Sequence, residues 1–419
     1  MNATLEPEVA LLLALGRGLH EAGVSAPALE DALSRVARHL GVTAQFFSTP
    51  TSMFSAFGEG AAQHVHLFRV EPASVDLGKL VELEALTDAV CDGALTPAAA
   101  TARVAAISAG HPPFSRELTV LAFALSSAAF ALFLGGGVHE CIASAAIGFV
   151  TGTLAVLGRR VPAIARVHEL LAAALASLLA VVAAHVLPPL SVFTATLAGL
   201  IILIPGFTLT TALTELATRH LASGTARLAG ALVTFLTIGF GVALGSRVGE
   251  VLLGPVPAGG EGVALPWAEP IALVVAPTAM VVLLRAPVRE LPWLLVTGTL
   301  GYFGGRMGAR WLSPELGMFA GALALGLASN VYAWLRRRPA STVLVPGILL
   351  LVPGSIGYRS LSELLAREVI PGIETAVEMF LVAVSLVAGL LAANVLTPPR
   401  TFARRIGAAL GMPPGDRSP

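Results

Sequence analysis

A chain of 419 residues that is 55% hydrophobic and only 12% charged lies outside the range of ordinary soluble domains, where about a quarter of residues are charged. The 26 basic and 26 acidic residues cancel to a formal charge of zero, so no net field argues for nucleic acid or an acidic partner. Two cysteines, Cys91 and Cys141, form neither a disulfide framework nor a metal spacing, and no Walker A run is present; a polytopic α-helical membrane protein without cofactor or metal is expected.

Residues 1–116 hold most of the polar content and form a candidate α+β domain outside the membrane. Glu6 and Glu8 stand where a signal peptide carries positive charge, so no cleaved leader is expected. Leu11, Leu12, Leu15, Leu19 and Ala22 recur at helical spacing up to Gly23, and a second helix is predicted over 27–40 behind Ser25. Two strands are predicted at 42–48 and 65–70, then helices at 77–91 and 97–107, with His111-Pro112-Pro113 closing the domain. Ser52 in the hydroxyl-rich run 48–52, with His64, His66 and Asp76, nominally supplies a Ser-His-Asp set for a membrane-anchored hydrolase. No Gly-x-Ser-x-Gly elbow accompanies it, and a turn held by local hydroxyl bonds is the preferred reading.

From residue 117 apolar stretches alternate with short polar joints. Ten spans are predicted: 118–134, 142–157, 170–187, 190–204, 228–245, 271–284, 291–308, 316–335, 343–352 and 377–396. The fourth and ninth are too short to cross a bilayer, which takes about 20 residues, and each ends at Pro-Gly. A shift of 148 residues carries 117–250 onto 265–398, five spans onto five, with 251–264 as linker and 399–419 as a tail. An odd number of spans per unit gives the two units opposite orientations, the inverted-topology repeat. If the N-terminal domain is cytoplasmic, the inside joints carry thirteen arginines and the outside joints five, which places both termini in the cytoplasm.

The same shift superimposes two polar segments, Pro205-Gly206 through Arg219 and Pro353-Gly354 through Arg367, each containing Leu-x-Glu-Leu. Thr208 and Ser355 sit where an N-cap hydroxyl belongs, so each segment is predicted to restart a broken helix inside the membrane with its N-terminus open to a carboxylate. Glu215 with Arg219, and Glu363 with Arg367, have the favourable i,i+4 order. The structural alternative is a pair of amphipathic helices at the interface. Among other polar residues, His139 and Glu140 read as interfacial, His185 as a loop residue and Asn330 as a helix–helix hydrogen bonder, while Glu378 falls just inside the last span.

Several stretches together carry a resemblance: residues 15–23 (LGRGLHEAG), Thr49-Pro50-Thr51-Ser52, residues 75–80 (VDLGKL), Pro205-Gly206 with Glu215-Leu216, residues 223–228 (SGTARL) and residues 352–355 (VPGS). Their order over nearly the full chain resembles the threonine/serine exporter family. The resemblance implies a proton-driven exporter of small hydroxy amino acids in the cytoplasmic membrane; a two-chain version of similar architecture is associated with dicarboxylate export, and a homo-oligomer is left open. Thr208, Thr211, Glu215, Arg219, Arg227, Ser355, Tyr358, Arg359, Glu363 and Arg367 are then candidates for binding threonine or serine. Glu215, Glu363 and Glu378 are candidates for carrying the proton, and Pro205, Gly206, Pro353 and Gly354 for the helix breaks.

Overall fold

The computed structural model describes residues 6–71, 75–257, 267–311, 313–351 and 354–398. The chain begins with helices α1 (Pro7–Glu21) and α2 (Ala26–His39), a three-stranded antiparallel meander β1 (Ala44–Thr49), β2 (Ser52–Phe57) and β3 (His64–Arg69), then α3 (Leu77–Cys91) and α4 (Pro97–Ala109). The fully buried Leu11, Leu15, Leu29, Leu33, Met53 and Leu77 form its core. One strand more is present than the two predicted. β2 follows β1 after only Pro50 and Thr51, and Thr49 Oγ1 lies 2.7 Å from Ser52 Oγ and accepts from Ser52 N at 3.1 Å. The hydroxyl-rich run is therefore a hairpin turn, and Met53, Ser55 and Phe57 alternate inward from it.

Among the described residues thirteen further α-helices follow: α5 (Arg116–Phe133), α6 (Val138–Gly158), the short α7 (Pro162–Arg166), α8 (His168–Val186), α9 (Val192–Leu200), α10 (Gly206–Ala217), α11 (Leu221–Leu253), α12 (Ala268–Leu283), α13 (Leu291–Trp311), α14 (Pro314–Arg336), α15 (Ser341–Leu351), α16 (Gly354–Leu365) and α17 (Val369–Leu396). Seven helical stretches among the described residues are long and apolar enough to cross a membrane, one of them counting α15 and α16 together. Three of the ten predicted spans fall short of that: α9 with nine residues, α12 with 16, and α13, which carries Arg306 and Arg310 toward its end. At about 1.5 Å per residue α9 and α15 reach only about half of a hydrocarbon core about 30 Å thick.

The helix bounds repeat. Adding 148 to α10 gives 354–365, the bounds of α16, and adding it to the first residue of α11 gives 369, the first residue of α17. The packing is reciprocal as well: α5 lies on its counterpart α12, α10 on α17, and α11 on α16. Within the first half, α8 meets Gly241 of α11 with Leu170 and Ala173, Gly245 with the Ala174 backbone and Gly249 with Val181; small residues let apolar helices approach where burial from water supplies no drive.

The N-terminal domain is docked on these helices. Leu77 N donates to Leu284 O at 2.9 Å, Arg285 Nη1 donates to Asp76 Oδ2 at 2.8 Å, and the domain core runs on into Val281, Ala286, Leu294, Tyr332 and Val343. The linker from 258, the tail from 399, and Val352-Pro353 lie outside the described residues.

Candidate functional site

The two polar segments form two helical hairpins, α10–α11 and α16–α17. Each first helix ends with an arginine in the left-handed region, Arg219 at φ 65° and Arg367 at φ 67°. In the first hairpin Arg219 N donates to Leu216 O and His220 N to Glu215 O; in the second Arg367 N donates to Leu364 O and Glu368 N to Glu363 O. These bond pairs define a Schellman cap, here with arginine where glycine is usual. The returning helix then crosses closely: a Cβ on Gly224 would stand 2.7 Å from Leu216 Cγ, and one on Gly372 2.6 Å from Leu364 Cγ. The backbone of the hairpin is duplicated down to its cap and its crossing point.

Within this frame the carboxylates differ. Glu215 is completely buried. Its Oε1 accepts from Ala26 N at 3.0 Å, its Oε2 from Ser223 Oγ at 2.7 Å, and Arg227 Nε bridges both oxygens at 3.1 Å. Ala26 is the first residue of α2, so this carboxylate from 189 positions away caps the positive end of a helix in the N-terminal domain. Ser25, expected to cap α2, makes no side-chain cap. Beside it His220 Nε2 stands 3.5 Å from Glu30 Oε2, and Glu30 Oε1 accepts from Ser48 N. Burial raises the pKa of Glu30, opposed by the Ser48 bond and by His220; burial lowers that of His20, whose Nε2 lies 3.2 Å from Pro50 O.

Glu363 is partly open, with its side chain 17% exposed. Arg359 Nε donates to its Oε1 at 3.0 Å and Thr375 Oγ1 to its Oε2 at 2.6 Å. The shift of 148 takes Thr211 to Arg359 and Arg227 to Thr375. Threonine and arginine have thus changed places at the two matched positions, and each carboxylate takes one guanidinium and one hydroxyl, the latter from Ser223 in the first copy and Thr375 in the second.

Several expectations are corrected. Arg219 and Arg367 do not pair with Glu215 and Glu363, because each lies beyond its helix end in left-handed backbone and is exposed; the carboxylates take Arg227 and Arg359 instead. Thr208 and Ser355 are not N-caps: α10 starts at Gly206 behind Pro205, and Ser355 lies inside α16, which starts at Gly354. Pro353 is outside the described residues. Thr211 Oγ1 donates to Phe207 O on its own helix, a bond that leaves the hydroxyl oxygen able to accept. Tyr358 is buried against Phe193 of α9, with ring centres 5.5 Å apart, and Glu378 is half-buried.

Glu140 is buried, accepting from Gly137 N and Ser191 N. His185 lies within α8, and Asn330 bonds Asn394 and Thr397 O. Ser52, His66 and Asp76 are not brought together. Ser52 is opposite Arg69, His66 opposite Ser55, and the Asp76 carboxylate is taken by Lys79 N and Arg285. Sequence reasoning passed over Ala26, Ser223 and Thr375, whose roles depend on contacts across the fold. It also passed over Ser126, Ser127 and Thr196, whose buried hydroxyls have no hydrogen-bond partner among the described residues and lie on α5 and α9, which pack together. Adjacent serines in an apolar helix were the available signal.

The site is thus a pair of helical hairpins, each with an ion-paired carboxylate, in a polytopic helical membrane protein. The threonine/serine exporter family models match residues 10–249 and 269–396, and the chain belongs to that family. It is 24% identical to pheromone-regulated membrane protein 10 of Pichia sorbitophila over 79% of this chain and 34% of the relative, and 24% identical to that of Candida albicans over 82% and 32%. The Saccharomyces cerevisiae protein of the same name is also 24% identical, over 83% of this chain and 46% of its own length. The chain thus spans about a third to under a half of these relatives. No solved structure matches it.

Proposed function

We propose that the chain is a secondary transporter that exports small hydroxy amino acids, threonine or serine, in exchange for protons. The observation that carries this reading is the duplicated carboxylate, Glu215 and Glu363, each neutralised by one arginine and one hydroxyl donor. A zwitterion can replace such an internal pair without changing net charge: its ammonium takes the glutamate and its carboxylate the released guanidinium. A proton on the glutamate resets the site on the return step. A dicarboxylate would instead ask for two cations, and each glutamate here is bonded to one. Ser223 and Thr375 are the hydroxyls bonded to the two glutamates and are suited to reading a substrate hydroxyl. The two halves act as inverted repeats. Support comes from the joints that the N-terminal domain touches, α10–α11, α12–α13 and α14–α15, which all lie on the arginine-rich side. That side is read as the cytoplasm, with the protein in the cytoplasmic membrane.

The test is flux in proteoliposomes. Labelled threonine or serine is expected to move saturably and faster with an imposed pH gradient, and Glu363→Gln to lower that flux more than tenfold, roughly the loss of one charge-assisted contact, while folded protein is retained. Saturable flux of a small dicarboxylate alone would transfer the reading to that substrate class. No saturable flux of either would end it.

A further inference from the structure

A cavity of about 620 Å³ lies where the N-terminal domain meets the α12–α13 corner, away from both glutamate hairpins. Its size is that of a small-molecule site. It is walled by the first turns of α3, by α4, by the segment leading into α5, and by residues 285–289. Lys79, Arg103, Arg285 and Arg289 face it against two carboxylates, Asp76 and Glu82. Asp76 is already committed to Lys79 N and Arg285 and is 4% exposed. Lys79 Nζ donates to Ser108 O at 2.6 Å. Arg289 is 63% exposed and reaches Glu290 Oε1 only at 3.7 Å, an oxygen that Arg336 and Arg338 also approach. Arg103 is exposed. Burial, then the charges of Arg285 and Arg116, lower the pKa of Arg159 just past α6, so further guanidinium charge stands around the same corner.

The cavity includes the N-terminal turn of the 15-residue α3, whose Leu77 N and Lys79 N are already taken by Leu284 O and Asp76, so the cationic side chains carry the attraction for an anion. The wall is also drawn tight at Gly78, where a Cβ would stand 2.8 Å from Arg285 O. Any larger residue there would push the domain off the corner.

We propose that this cavity binds a phosphate-bearing anion, held by Arg103, Arg289 and Arg285, and that the bound anion fastens the N-terminal domain to the membrane helices. Four cations against two carboxylates leave an excess that a doubly charged phosphate matches. Phe114 lies just before α5, and Arg285 and Arg289 between α12 and α13, so the phosphate can come from a lipid headgroup or from solution.

The test uses the full chain purified in detergent and in lipid nanodiscs. In detergent, inorganic phosphate at constant ionic strength is expected to raise the Tm saturably if the source is soluble. In nanodiscs, phosphatidic acid, whose phosphomonoester can carry two charges, is expected to raise it over phosphatidylcholine if the source is a headgroup. The double variant Arg103→Gln, Arg289→Gln is expected to weaken whichever response occurs by about tenfold or more, the worth of a charge-assisted hydrogen bond. Both side chains are exposed, and the variant's Tm in chloride and phosphatidylcholine checks that it folds. Glu82→Gln is expected to strengthen the response. No saturable response to either phosphate source, or one unchanged in the double variant, overturns the proposal.

Discussion

Hairpins α10–α11 and α16–α17 share helix bounds, an arginine-closed Schellman cap and a glycine crossing, yet their carboxylates live in different surroundings. Glu215 is sealed under the N-terminal domain, its oxygens filled by Ala26 N, Ser223 and Arg227. Glu363 holds an exposed Arg359 and a threonine and stays partly open. The backbone is thus the same in both copies, while the charge partner stands twelve residues after the glutamate in one and four before it in the other. Arg227 is 21% exposed while its partner Glu215 is fully buried, and a desolvated carboxylate needs every partner it has. Arg359 is 68% exposed, so its pair is weak and readily exchanged.

Four outcomes sharpen or break this contrast. Glu215→Ala strands Arg227 and the end of α2 and is expected to cost about 3–5 kcal/mol, read by thermal unfolding and by faster proteolysis between domain and helices; a Tm close to wild type would mean the carboxylate is not holding the domain. Replacing Gly224 or Gly372 by valine is expected to cost about 1–3 kcal/mol in either copy through overpacking; a loss confined to one copy would show that the crossing is not shared. Glu84, outside the membrane part, has its pKa raised to about 7 by burial, with Asp88 adding and Arg35 opposing. The folded state thus holds that proton longer than the unfolded chain, and the stability it contributes is full below the ordinary carboxylate range and lost as pH rises through about 7. The Tm of the protein should fall by a few degrees across that window, and Glu84→Gln should flatten the slope; an unchanged slope would place it elsewhere. Smallest, Arg359→Thr is expected to cost under about 1 kcal/mol, and adding Thr375→Arg should restore an ion pair in the arrangement of the first hairpin, measurable as recovered Tm. A large loss on the single change would mean that the second site is as sealed as the first.

Much of the helical framework was legible because apolar runs, Pro-Gly breaks and arginine joints are local signals. The short α9 and α15 and the matched starts of α10 and α16 follow from them. β2 was hidden because Thr49 to Ser52 reads equally as a loop, and only its register against β1 and β3 makes it a hairpin turn. The expected Glu–Arg pairs failed for a conformational reason: a spacing of four is a contact only while the helix continues, and it ends at Ala217 and Leu365.

By itself the sequence determined that two polar segments recur in an apolar chain, since hydropathy and spacing survive without a fold. Which groups meet the two glutamates was decided by the tertiary structure alone. Ala26 N comes to Glu215 from another domain, and Arg227 and Thr375 come from the returning helices, because a buried carboxylate takes whatever donors packing brings within about 3 Å.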